Sequence, residues 1–398
     1  MIKQLLLLLF AVQAASSQQI LLRTSTILDG KGGVLRNQDV LISGATIQSI
    51  SPAKATPPQG VTVYDLRGLT LMPGWIDTHI HLDWFFDKEN KLANRSKETP
   101  QNITAHAAEN AWVTLLGGFT TVQSVGSPYD ADIRDRINQG HLPGPRILTS
   151  YRQINDQSGD PDALRELVKK TKADGADLIK VFASKGLGAG GAQSMSDAQL
   201  QAVCGEAKAQ GLRAIVHAIS AGSAKASVLA GCTAVEHGDF VDDDTLELIA
   251  SHNVYFDPNF LVLHNYLDLR QKFNFTPAVL DSLQKAIEPT GVVLRKARKH
   301  NVKVVFGTDA VAGAHGRNAE EFIYRVEEGG DKPMDVLISA TSLAAESLGL
   351  ADRIGTVAPN YQADLVAVQG NPLDDIKAVR KVEFVMKGGS VFKNQPHP

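Results

Sequence analysis

The chain has 398 residues, of which 43% are hydrophobic and 21% are charged, and its formal net charge is −3. This composition is ordinary for a globular protein with a substantial core, and the length suits a large domain with a smaller one. The weakly acidic balance argues against a nucleic-acid or anionic-membrane partner.

The first 19 residues have the pattern of an export signal. Lys3 gives a small basic region, residues 5–12 are apolar, and Ala14 and Ala15 are small residues suited to cleavage. The apolar run is too short to cross a bilayer as a mature helix. We therefore predict a signal peptide over residues 1–19 and an exported protein, periplasmic or secreted, with no stable membrane anchor. A buried N-terminal helix is the alternative interpretation.

Both ends of the remaining chain are rich in predicted strands. Turn signals separate strand-like runs at 20–28, 38–42, 46–50 and 61–66, and again at 363–368, 382–386 and 390–392. Each set alone is an incomplete sheet, and chain termini often lie close together. We predict a small composite β-sandwich domain from residues 20–72 and 356–398.

The middle of the chain, residues 73–355, alternates short apolar strands with amphipathic helices. Eight strands are predicted, at 76–82, 120–125, 146–150, 178–183, 213–218, 234–237, 254–257 and 303–307. This alternation indicates an α/β fold with a parallel sheet, and eight units indicate a (β/α)8 TIM barrel. A doubly wound sheet is the competing fold, but it favours a glycine-rich loop after the first strand, where this chain has His79 and His81.

Six residues at or beside strand ends are candidate metal ligands. His79 and His81 are two apart on the first barrel strand, so both side chains face the same way. The other four follow in later strands: Lys180, His217, His237 and Asp309. Taken singly, each fits a hydrogen-bonded core histidine, an ion-paired lysine or a helix-capping aspartate. Because the active site of such a barrel lies at the C-terminal strand ends, the set predicts a hydrolytic metal centre.

Several short motifs resemble those of a known family. They are PGWIDTHIH at 73–81, GADLIK at 175–180, EHG at 236–238, GTD at 307–309, GTVAP at 355–359 and ADLV at 363–366. With them the chain resembles the amidohydrolase superfamily of metal-dependent hydrolases, in the branch of imidazolonepropionase-like proteins and Xaa-Pro dipeptidases. The resemblance also implies a barrel with a β-domain built from both chain ends.

The resemblance implies a role for each candidate ligand. Lys180 would be carboxylated and bridge two divalent metal ions, with zinc the expected metal. One ion would be held by His79, His81 and Asp309, and the other by two histidines, His217 and His237. A bridging water would then become hydroxide and attack a carbonyl, with Asp309 as general base and then acid.

Four polar residues near the strand ends are predicted to bind substrate: Tyr151, Arg152, His315 and Arg317. A guanidinium can hold a substrate carboxylate with two parallel hydrogen bonds, which suits Arg317. An ion pair of Arg317 with Glu320 or Glu321 is equally consistent with the sequence.

The function predicted from these features is hydrolysis of a C–N bond in a small molecule or peptide, as an amide, a cyclic amide or a dipeptide such as Xaa-Pro. An esterase or lactonase with the same centre, a catalytically silent metal- or ligand-binding barrel and an isomerase are the alternatives, and a homo-oligomer is compatible with the sequence. Cys204 and Cys232 are expected to be buried free thiols, although a single disulfide is also allowed.

Overall fold

The computed structural model describes residues 19–54 and 56–395, so the predicted signal peptide lies outside the described residues except for Gln19. The fold is α/β. The strands are β1 Gln19–Leu28, β2 Val34–Ser43, β3 Thr46–Pro52, β4 Thr62–Pro73, β5 Trp75–Ile80, β6 Phe119–Ser124, β7 Arg146–Thr149, β8 Gln153–Ile154, β9 Leu178–Phe182, β10 Arg213–Ser220, β11 Ala234–Phe240, β12 Tyr255–Asp257, β13 Lys303–Val304, β14 Leu365–Gln369, β15 Val382–Lys387 and β16 Ser390–Asn394.

Most α-helices follow the strands of the middle region. They are α1 Pro100–Leu116, α2 Tyr129–Asn138, α3 Pro161–Ala173, α4 Asp197–Ala209, α5 Ala221–Leu229, α6 Asp243–Ser251, α7 Leu261–Asp268, α8 Pro277–Lys299, α9 Glu320–Glu327, α10 Pro333–Ser339 and α11 Ser342–Ser347. Within the described part of the chain, no helix is both long and apolar enough to cross a membrane.

The strands from the two chain ends form one sheet in the order β16-β15-β14-β4-β1-β2-β3. We predicted a sandwich, but hydrogen bonding joins all seven strands into a single sheet. This sheet curls, and the backbone of Ala363 connects its two ends. Ala363 O accepts a hydrogen bond from Gly389 N (3.1 Å), and Ala363 N donates one to Ala45 O (2.8 Å). The β15–β16 turn therefore meets the β2–β3 turn, and the two ends of the sheet enclose one apolar core.

The middle strands form two parallel sheets, β5-β6-β7 and β8 to β13 in chain order. Backbone hydrogen bonds connect these sheets at both edges. Asp177 N donates to Thr149 O (2.8 Å) on one side, and Thr78 N donates to Phe306 O (2.9 Å) on the other. A strand is present within each of the eight predicted segments, and β8 is additional.

The last parallel strand, β13, is shorter than predicted because side chains form hydrogen bonds with the backbone groups of the residues that follow it. The Asp257 carboxylate accepts from Gly307 N (2.7 Å), and Asn259 donates to Gly307 O (2.9 Å). Arg325 donates to Val305 O (2.6 Å). A Cβ at position 307 would lie only 1.9 Å from Asp257 Oδ2, so this close approach requires glycine.

The two cysteines form a disulfide, which corrects the expectation of free thiols. Cys204 in α4 and Cys232 just before β11 are both buried, and their Cα atoms are 5.1 Å apart. Helices α4 and α5 pack side by side against β10, and this brings two positions 28 residues apart into contact. That packing cannot be predicted from the spacing of the two cysteines.

Candidate metal centre

Three of the predicted ligands, His79, His81 and Asp309, meet on the C-terminal side of β5 and β13. Asp309 Oδ1 lies 3.0 Å from His81 Nε2 and 3.4 Å from His79 Nε2. Their ligand atoms all lie within 4.8 Å of one another, which is close enough to surround one ion. Asp309 has a positive φ of 50°, a left-handed conformation that is uncommon for a residue with a side chain and typical of functional sites.

Lys180 joins this group from β9. Its side chain is fully buried, and its Nζ lies 3.0 Å from His79 Nε2. Burial lowers the pKa of Lys180, although the nearby carboxylates of Glu236 and Asp309 oppose that shift. A lysine in this setting is pushed towards the neutral amine.

His217 and His237 lie beside each other within β10 and β11. Their ring centroids are 4.6 Å apart, and the His237 ring is 5.3 Å from the His79 ring. A backbone hydrogen bond to Lys185 holds His217, and its Nε2 is buried with no partner among the described residues. Burial lowers the pKa of His217 to about 4, so the ring is neutral at pH 7. A neutral imidazole with a buried, unpartnered nitrogen has the chemistry of a metal ligand.

The six side chains together fit divalent metal ions. Loss of contact with solvent lowers the pKa of three candidate ligands, His79, His217 and His237, and so favours their neutral form. Burial would raise the pKa of Asp309, but the adjacent His79, His81 and Lys180 outweigh it and lower that pKa to about 2. The group therefore offers imidazole nitrogens and an ionised carboxylate, which are donors that zinc accepts.

A buried carboxylate orients His79 from behind. Glu236 Oε2 lies 2.8 Å from His79 Nδ1, so Nδ1 carries the proton and Nε2 keeps its lone pair towards the centre. Glu236 contacts Asp257, and Arg325 in turn binds Asp257 Oδ1 (2.9 Å) and Glu321 Oε1 (2.6 Å). We assigned no role to Glu236 from the sequence. The sequence signal for such a role was the position of Glu236, a carboxylate next to His237 inside an apolar strand.

The centre opens into a cavity of about 410 Å³, and all six predicted ligands line it. Beyond them the wall comes mainly from β10, α7, α8 and the loop after β9. It is formed by Trp84, Gln153, Phe182, Gly186, Leu187, Gly188, Ile219, Asp239, Asn259, Val262, Leu263, Tyr266, Phe275, Val279, Leu283 and Val311. None of these residues was predicted to bind substrate, because α7 and α8 belong to a long excursion between β12 and β13 that has no recognisable motif.

Two predicted substrate-binding residues follow β7 but do not line this cavity. Arg152 forms an ion pair with Asp174 and donates to Thr171 Oγ1 (2.9 Å). Its guanidinium lies 5.0 Å from the ring centroid of Tyr151. These contacts direct both side chains towards α3, and away from the centre.

Arg317 and His315 are also outside the lining of the cavity. Arg317 pairs with Glu320 (2.8 Å) and Asp268 (3.2 Å), so the ion-pair interpretation fits the structure and the carboxylate clamp does not. His315 Nε2 lies 3.1 Å from the backbone oxygen of His81, so His315 contacts a candidate ligand without lining the cavity.

Comparison with known proteins identifies the family of this chain. The model of the amidohydrolase family matches residues 70–392. The chain belongs to the amidohydrolase family. Family membership confirms the resemblance predicted from the sequence motifs, and with it the prediction of a hydrolase.

Named relatives include an ochratoxinase from Aspergillus niger, 26% identical over 423 residues that cover 92% of this chain and 85% of that protein. A crystal structure of a Xaa-Pro dipeptidase with bound methionine in the active site matches with a TM-score of 0.88 and 28% identity, covering 95% of this chain and all of that one. A putative prolidase from Bifidobacterium longum matches with a TM-score of 0.83 and 25% identity over 96% of this chain and 97% of that one.

Proposed function

We propose that this amidohydrolase hydrolyses a C–N bond in an amide, a cyclic amide or a dipeptide with two divalent metal ions. The observation that best supports the proposal is the convergence of Lys180 Nζ and Asp309 Oδ1 on His79 Nε2, at 3.0 Å and 3.4 Å. An ordinary lysine beside an imidazole in a dry interior is costly. It is explained if Lys180 is carboxylated, because the carbamate is an anion and a metal ligand.

Two ligand groups sharing Lys180 would hold the ions. His79, His81 and Asp309 would hold one, and His217 and His237 the other. Bound divalent ions would supply Lewis acidity, which lowers the pKa of a water molecule and polarises the substrate carbonyl.

The side chains themselves then move the proton. Asp309 is ionised, so it can accept a proton from the attacking water as the water oxygen bonds to the carbonyl carbon. The C–N bond breaks next, and Asp309 returns that proton to the leaving nitrogen. Glu236 keeps His79 in one tautomer throughout, because its hydrogen bond to Nδ1 does not involve the reacting atoms.

The choice of a C–N bond rests on relatives named ochratoxinase, Xaa-Pro dipeptidase and prolidase. An esterase or lactonase would use the same residues, and a silent barrel would bind metal without turnover. A panel of matched amides and esters, assayed with zinc-loaded protein and with chelator-treated protein, separates these functions. We expect metal-dependent amide cleavage. Ester cleavage alone would favour the esterase, and no turnover at all would favour the silent barrel.

We propose a closed (β/α)8 barrel over residues 73–355 and a composite β-domain from residues 20–72 and 356–398. The hydrogen bonds at both edges of the parallel sheets support the barrel. The single curled sheet with its own apolar core supports the second domain. Limited proteolysis should leave the two terminal segments associated, since β4 pairs with both β1 and β14.

We also propose export after cleavage within the predicted signal peptide, residues 1–19. The disulfide between Cys204 and Cys232 supports this, because such bonds persist mainly in oxidising compartments. N-terminal sequencing of protein from the native host should find a start near Ala15 or Ser16. Protein that retains Met1 inside the cell would contradict export.

A further inference from the structure

The cavity wall away from the candidate metal centre is mainly apolar. Val262 and Leu283 are buried in its deeper part, and Leu187, Phe275 and Val279 are half-buried nearer the surface. Gly188, next to Leu187, approaches Val279 so closely that a Cβ there would lie 3.0 Å from a Val279 methyl group. The loop after β9 and the start of α8 therefore meet over the cavity and present hydrocarbon to whatever binds there.

Cationic groups are scarce in this wall. Among the described residues that line the cavity, Lys180 is the only lysine or arginine. Its Nζ lies 3.0 Å from His79 Nε2, inside the candidate metal centre, where it is not free to bind a distant substrate group.

Cations close to the wall are already neutralised. Arg95 stacks on the cavity-lining Trp84 at 4.7 Å, but its guanidinium is bound to Asp83 at 2.7 Å. Lys185 precedes the lining loop, and its Nζ lies 3.4 Å from Asp156. Neither side chain lines the cavity.

Among the described residues that line the cavity, one charged residue is not a candidate ligand, and it is acidic. Asp239 is buried, and Thr290 donates to its Oδ1 at 2.6 Å. Its Oδ2 has no hydrogen-bond partner among the described residues. Beyond the candidate metal centre, a substrate carboxylate next to this wall would find an acidic neighbour, the uncharged donors of Trp84 and Tyr266, and no cation.

We propose that the site selects amides with uncharged, apolar groups on both sides of the scissile bond and disfavours substrates with a free carboxylate, including dipeptides with a free C-terminus. This inference rests on the proposed amide hydrolysis and narrows its substrate class. Transfer of apolar groups to the wall is favourable, whereas burial of a carboxylate without a neighbouring cation is costly. A cavity of this size and lining suits a substrate of two small apolar units.

Two matched substrate pairs test the inference with zinc-loaded full-length protein. The parent is 3-phenylpropanoic acid anilide. One pair has a 4-carboxamide or a 4-carboxylate on the aniline ring, and the other has the same two groups on the phenyl ring of the acyl part. We expect kcat/KM to be about 10-fold or more lower for each carboxylate than for its carboxamide, mainly through a higher KM.

A variant that adds a cation gives the reciprocal test. Leu187→Lys places an ammonium at the half-buried edge of the cavity, where its long side chain can reach solvent. We expect the preference for the carboxamide to fall about 10-fold in at least one pair. Leu187→Met is the matched control for loss of the leucine, and it should keep the wild-type preference.

The outcomes separate this inference from the proposed function. Cleavage of the amides with equal or better rates for the carboxylates would overturn the inference and leave amide hydrolysis standing. A metal-loaded protein that cleaves none of the amides would overturn both. Preference for both carboxamides, reduced in Leu187→Lys but not in Leu187→Met, would support the inference.

Discussion

Glu236 Oε2 lies 2.8 Å from His79 Nδ1, and both side chains are buried. The carboxylate accepts the Nδ1 proton, so His79 presents the lone pair of Nε2 to the centre. Lys180 Nζ is 3.0 Å from that same Nε2. Glu236 therefore sets the tautomer and the ring orientation of His79.

The first prediction concerns this positioning role. Glu236→Ala should weaken zinc binding by roughly 10–100-fold, because the ring of His79 loses its orienting partner. Glu236→Gln should lose less, since the amide oxygen can still accept the Nδ1 proton. Competition with a chelator of known affinity measures both values. Glu247→Gln, on the exposed face of α6, is the control. Equal zinc affinity in wild-type protein and Glu236→Ala would show that the contact has no such role.

A second prediction separates the two proposed roles of Asp309. Asp309→Asn keeps an oxygen ligand beside His81 but cannot take up a proton. We expect metal content near that of the wild type and a rate lower by roughly 10²–10⁴-fold, the usual contribution of general acid–base catalysis. Metal analysis and kcat should be measured on the same sample. A variant with full metal and an almost unchanged rate would assign the proton transfer to another group.

The third prediction addresses carboxylation of Lys180. Lys180→Ala should lose metal and activity, because the bridging anion is gone. Addition of a short carboxylic acid such as propionate should restore part of both, since its carboxylate can occupy the vacated space. Lys180→Ala with full activity and no added acid would contradict the bridging role.

A fourth prediction concerns the stability of the buried network behind the centre. Arg325 is fully buried between Asp257 and Glu321, so its loss leaves two buried carboxylates without their cation. Arg325→Met should lower the free energy of unfolding by about 3–5 kcal/mol. The control is Arg136→Met, which removes an exposed ion pair with Asp132 and should cost about 1 kcal/mol or less. Urea denaturation measures both. A similar small loss in both variants would refute the structural importance of the network.

Much of the centre was predictable because it follows from strand geometry. His79 and His81 were recognisable from their spacing of two, and Lys180 from its place inside an apolar strand. Their convergence required only that parallel strands end at one edge. The same reasoning does not extend to Asp257 and Arg325, because a contact between β12 and α9 depends on how the helices pack outside the strands.

The substrate side of the cavity was not predictable for a related reason. Tyr266, Val279 and Leu283 belong to helices whose local sequence gives no sign that they face the centre. Arg317 lies close in sequence to Asp309, and we therefore predicted that it binds a substrate carboxylate. Its neighbours Glu320 and Asp268 bind it instead, and only the packing of α7 against α9 brings Asp268 within reach.

Activity as a function of bound metal tests the central claim most directly. Metal-free protein would be titrated with zinc while hydrolysis of a neutral amide and the bound metal are followed together. The account predicts negligible amide hydrolysis without metal and a rise to a plateau at about two equivalents per chain, because both ligand groups must be filled. Full activity at one equivalent would contradict the binuclear centre, and equal activity of the metal-free protein would contradict metal-dependent hydrolysis altogether.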